Sequence, residues 1–124
     1  MLKNAAAALL CAASLATSAA GPRLVIQQTS LAGFSHHAAP AVWARLAEGD
    51  ALRLEAETAN PHDAQAVRVF WGEHLLGYLP RRDNGAIARA LRAGLPLQAR
   101  VAWRREHPDP RQRIGVEISA VATR

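Results

Sequence analysis

The residue types in Asn60-Pro61-His62-Asp63 and, fourteen residues past Asp63, in Gly77-Tyr78-Leu79-Pro80-Arg81-Arg82 suit recognition of a polar, anionic ligand. Arg81 and Arg82 are planar, doubly donating partners for phosphate, and they precede a helix start, where backbone N–H groups also favour anions. Tyr78 either lines the same pocket or closes the core. A purely local alternative stands beside this reading. Asn and Asp side chains hydrogen-bond nearby backbone and Pro fixes φ, so a rigid turn alone selects the same residues.

Bond-making chemistry finds less support. Ser30, Ser35 and Ser119 sit in no Gly-x-Ser-x-Gly elbow, and no Gly-rich phosphate loop with Lys is present. ATP hydrolysis is therefore excluded from this chain. The five histidines, His36, His37, His62, His74 and His107, raise zinc as a candidate because imidazole is its commonest ligand and Asp63 could join them. Their spacing matches no metal motif, and adjacent His36 and His37 diverge on a strand. No cofactor is expected, no catalytic residue is assigned, and a metal-assisted hydrolase is the remotest reading.

The elements that position these residues are mostly strands. Leu52 and Leu54 alternate with Arg53 and Glu55, and Val67 and Val69 with Arg68 and Phe70, so two half-buried strands flank the Asn60–Asp63 loop. Trp71-Gly72-Glu73-His74 makes a hairpin to a strand carrying Leu75, Leu76 and Tyr78, and Pro80 ends it. A first strand is expected from Leu24 towards Phe34, pairing with Ala51 to Ala56. Ser35 to Pro40 reads as a polar turn. Ala41 to Leu46 suits a helical turn or an irregular strand equally. A helix follows Pro80, capped by Asp83 or Asn84, with Ile87 and Leu91 on one face and Gly94 as its stop. Leu97–Trp103 and Ile114–Val121 are two closing strands, and Arg104–Arg113 between them reads as a mobile basic loop. About six strands with one helix after the fourth close most economically as a small barrel of the OB type, which removes exposed edges.

In order and spacing, Gly49-Asp50, Leu52, Leu54, Asn60-Pro61-His62-Asp63, Ala66-Val67 and Gly77-Tyr78-Leu79-Pro80-Arg81 resemble the HIRAN domain, a module of DNA-repair ATPases that also occurs as a free-standing bacterial protein. The resemblance covers roughly Leu24 to Ala120 and implies the same mainly β, OB-like architecture. It also implies a site for single-stranded DNA with a free 3′ end, in which the residue matching Asp63 accepts from the 3′-hydroxyl and neighbouring aromatics stack on terminal bases. His62 stands where the family has Tyr, and His36 where a second stacking aromatic is expected. The implied nucleic-acid site is His36, Asn60, His62, Asp63, Tyr78, Arg81 and Arg82.

A length of 124 residues, half of them hydrophobic, allows one domain with a small core and excludes a multidomain motor. Residues 1–20 have the form of a secretory signal peptide, with Lys3 at the start, an apolar run from Ala5 to Ala16 and small residues at Ser18-Ala19-Ala20. The run is too short for a stable membrane anchor. Cleavage there leaves 21–124 as the mature domain and removes Cys11, the single cysteine, so neither disulfides nor thiolate metal sites remain. It also removes Lys3, the single lysine, lowering the net charge from +5 to +4 with arginine as the sole basic side chain besides histidine. A GC-rich genome produces the same Arg and Ala bias without any ligand. Two function classes stay open: a binder of single-stranded nucleic acid or another polyanion, and an exported envelope adaptor or ligand-binding module on the same scaffold. Export itself is testable. Mass spectrometry of the periplasmic or secreted protein should place its N-terminus within a residue or two of Gly21, whereas an intact Met1 on cytoplasmic protein contradicts the leader.

Overall fold

The computed structural model describes residues 23–121, so the expected leader lies outside the described residues. Six strands form: β1 (Arg23–Ser30), β2 (Ala51–Ala56), β3 (Val67–Trp71), β4 (His74–Tyr78), β5 (Leu97–Arg104) and β6 (Ile114–Val121). Two α-helices accompany them, the four-residue α1 (Ala39–Val42) and α2 (Gly85–Arg92) after the fourth strand. All pairings are antiparallel, in the order β1-β6-β5-β2-β3-β4.

Alternation in the sequence becomes burial in the sheet. Val67, Val69, Leu76, Val101, Ile114, Val116 and Ile118 face a single core, which Phe34, Val42, Leu79 and Ile87 complete from the connections and helices. β6 lies between β1 and β5, paired along both edges, and its Glu117 and Ser119 are buried as well. Gly72, at φ 58°, turns the β3–β4 hairpin as its flanking alternation requires. Asn84 occupies the N-cap position of α2, and Gly94 follows its end in the left-handed region at φ 76°.

Two expectations are corrected. β1 pairs with β6, from Arg23↔Val121 to Ser30↔Gly115, and not with β2. It stops at Ser30 because Gly33, at φ 78°, turns the chain into a 3₁₀ turn over Phe34–His36. The closed barrel gives way to an open six-stranded sheet. The edge strands β1 and β4 form no ladder with each other; one isolated bridge, Ala32↔Tyr78, joins the chain after β1 to the end of β4. Its two hydrogen bonds are 2.8 and 2.9 Å. The Arg104–Arg113 connection carries its own bonding: Arg105 N–H donates to Arg113 O at 2.9 Å, and Asp109 accepts from Arg111 N–H within a 3₁₀ turn at Pro110–Gln112.

Candidate functional site

The β2–β3 connection is built around Asn60. Its Oδ1 accepts from the backbone N–H groups of His62 (2.8 Å) and Asp63 (3.2 Å), and its Nδ2 donates to Glu57 Oε1 at 2.7 Å. Asn60 is therefore the structural member of the motif, as the local reading of the turn requires. The turn delivers Asp63 to the start of α2. Asp63 Oδ1 accepts from Gln65 N–H at 2.9 Å and Oδ2 from Asn84 Nδ2 at 2.7 Å. Arg81 Nε stands 3.8 Å from Oδ2, and Arg81 also donates to His62 O at 2.7 Å. The Gln65 N–H, the Asn84 amide and the Arg81 charge, in that order among the lowering causes, hold the Asp63 carboxyl below the usual carboxylate range. Asp63 is thus ionised at neutral pH, and an ionised carboxylate has about four acceptor positions. Two are used by the protein, and the side chain keeps 19% of its exposure. Capacity remains for one hydroxyl donor from solution.

Tyr78 is joined to the same turn from β4. Its hydroxyl donates to Glu57 Oε1 at 2.9 Å, and Arg68 stands 3.6 Å from Glu57 Oε2. Burial, and then the neighbouring Glu57, push the Tyr78 phenol above its ordinary range, while the Asn60 amide is the foremost cause lowering Glu57. Tyr78 is half-buried with its oxygen committed, so it supports the turn and offers no free donor.

The structure gathers Asn60, Asp63, Tyr78, Arg81 and the His62 backbone into one network, but it does not gather every expected residue. His36 is exposed, and among the described contacts none links its side chain to Asp63 or Tyr78. His37 packs on Tyr78 instead, with ring centroids 5.5 Å apart. The His62 ring is exposed, and the described bonds of this residue use its backbone alone. Arg82 stands 3.4 Å from Asp83 and faces a separate cleft of about 280 Å³ with Pro80, Asp109 and Arg111. Sequence reading missed Glu57, Gln65, Asn84 and His37. The i, i+3 spacing of Glu57 to Asn60 was an available signal, whereas the Asn84–Asp63 bond spans 21 residues and is invisible locally. Gln65 Oε1 is buried without a partner and lies beside Gly85 at the first turn of α2. Among the described residues no three His, Cys, Asp or Glu side chains converge as a metal ion needs.

A pH dependence follows from these carboxylates. Asp63 and Glu57 both titrate lower when folded than when unfolded. Their contribution is present above the unfolded carboxylate range near ~4, and it is lost as pH falls through the folded values. The urea midpoint should therefore drop between pH 7 and pH 3, and Glu57→Gln with Asp63→Asn should shrink that drop. An equal drop in the double variant contradicts the assignment.

The fold and site define a small antiparallel β-domain with a preorganised carboxylate and an exposed arginine at one turn. The chain belongs to the HIRAN domain family, whose domain matches residues 24–122. No curated protein matches it. Among solved structures, a protein from Lactobacillus plantarum is similar at TM-score 0.70 and 22% identity, covering 82% of this chain and 98% of its own. The HIRAN domain of human HLTF is similar at TM-score 0.59 and 14% identity, covering 79% of this chain and 74% of its own. At these identities the likeness is one of fold.

Proposed function

We propose that this HIRAN domain binds single-stranded nucleic acid at the Asn60–Asp63 turn, with Asp63 accepting a hydrogen bond from a free 3′-hydroxyl. Family membership supports the broader statement, a nucleic-acid-binding module. The observation that carries the finer one is the Asp63 carboxylate, ionised, partly exposed and only half used, with the 72%-exposed Arg81 guanidinium 3.8 Å away. A terminal nucleotide presents that pair of groups, a hydroxyl donor and a nearby phosphate. His62 supplies an exposed stacking surface beside them, smaller than a phenol ring. If residues 1–20 direct export, the ligand is extracellular or imported DNA.

Arg81 and Arg82 contribute through phosphate in this reading. Arg81→Ala and Arg82→Ala should each weaken free and blocked 3′ ends alike, and each should lower the slope of log affinity against log salt by about 1. Slopes unchanged in both variants remove the arginines from the interface. Absence of binding to every oligonucleotide at physiological salt favours an envelope-adaptor role instead.

A further inference from the structure

A second cavity lies apart from the Asp63 turn and shares no lining residue with it. β2 and β5 are joined at two residue pairs only, Ala51↔Arg100 and Leu52↔Ala99. Beyond these, β2 continues beside β3 and β5 beside β6, and the two strands part. Leu54, Leu97 and Leu91 of α2 stand partly buried around the gap. They leave a cavity of about 390 Å³, within the ~300–1,000 Å³ typical of small-molecule sites.

Its polar wall is unusually committed for a sheet surface. Of the four buried polar or charged residues among those described, Glu117 and Ser119 both line this cavity. Glu117 is already satisfied, accepting from Arg100 Nε at 2.7 Å and Gln28 Nε2 at 3.1 Å. A cationic ligand would compete with those partners, and an anionic one would not. The described bond of Arg100 uses Nε alone, which leaves the two terminal nitrogens of its fork as donors. Arg23 lines the cavity too, close enough that its charge acts on Glu117. Arg53 lines the cavity as well, but its charge is paired with Glu55 and it stacks over Phe70 at 4.3 Å. Arg23 and Arg100 against Glu117 leave one net positive charge over a leucine-lined gap.

We propose that this cavity is a second binding site, for a small amphiphilic anion whose singly charged head meets Arg23 and Arg100 and whose short apolar tail enters between Leu54, Leu91 and Leu97. Titrating the full chain with hexanoate under ¹H–¹⁵N NMR tests it. Hexanoate at millimolar concentration should shift the amides of Leu91, Gln98, Arg100 and Ser119 saturably while Asp63 and Gln65 stay still. Acetate should bind more than tenfold more weakly, since each buried methylene contributes about 0.8 kcal/mol. Hexylamine should leave these amides unmoved. Arg23→Gln, a change at an exposed position, should weaken hexanoate about tenfold, the scale of one hydrogen bond to a charged group. The proposal is overturned by hexylamine moving the same amides, by acetate matching hexanoate, by Arg23→Gln binding as the parent does, or by no saturable shift with hexanoate.

Discussion

Asp63→Ala is expected to weaken binding of an oligonucleotide with a free 3′ end by about 1 to 3 kcal/mol, the scale for deleting one partner of a charge-assisted hydrogen bond. The reason is specific to one atom pair. Asp63 is the carboxylate of the turn with acceptor capacity left over, and its neighbours hold it ionised. Binding of an oligonucleotide ending in a 3′-phosphate should change little or improve, because the wild-type carboxylate repels that dianion. The same substitution strands the Asn84 amide, which is 3% exposed, and the Gln65 N–H. Folding stability is therefore expected to fall too, and affinity should be read by anisotropy under conditions where circular dichroism shows the variant folded. Equal loss for free and blocked ends would mean that Asp63 shapes the turn and does not read the terminus.

The largest effect on folding is expected at Gly77. A Cβ built there lies 2.2 Å from the carbonyl oxygen of Ala32 and 3.2 Å from the side chain of Leu31, which is 1% exposed. Ala32 and Tyr78 exchange two backbone hydrogen bonds at this point, and no ladder backs them up. Gly77→Ala must therefore open the bridge. Overpacking costs about 1 to 3 kcal/mol, and each lost hydrogen bond adds about 0.5 to 1.5 kcal/mol, so a loss of about 3 kcal/mol or more is expected in urea denaturation. Since Tyr78 also holds Glu57, the Asn60 turn should loosen with it. A loss under about 0.5 kcal/mol, the range of an ordinary surface substitution, contradicts the close approach.

Those two positions also mark what the sequence can and cannot disclose. Alternation at Leu52 to Glu55 and at Val67 to Phe70 placed β2 and β3 correctly, because period-two burial is a local property. Ile87, Leu91 and Gly94 likewise defined α2. Partners are not local. The residues of β1 show no alternation that would choose between β2 and β6, and it is β6 that pairs with it, flanked by β5 on its other edge. Closure was inferred from the general cost of free edges, yet the chain turns at Gly33 and meets β4 through an isolated bridge at Ala32 in place of a ladder. In the site, the Asn60 turn was legible because its bonds span two and three residues. Asp83 or Asn84 was read as the helix cap; Asn84 holds the position, but its side chain makes no cap bond and crosses to Asp63. His36 was read as a stacking residue, and it is the neighbouring His37 ring that faces Tyr78; a short 3₁₀ turn gives no periodicity to fix which imidazole does so.

The central claim is that the turn reads a free terminus and not only a polyanion. Fluorescence anisotropy of the wild-type chain with one single-stranded oligonucleotide, carrying either a 3′-hydroxyl or a 3′-phosphate, tests it most directly. The blocked end should bind more weakly by about 1 to 3 kcal/mol, because the Asp63 carboxylate loses a donor and meets a dianion. Equal affinity for both ends at the same salt concentration contradicts it.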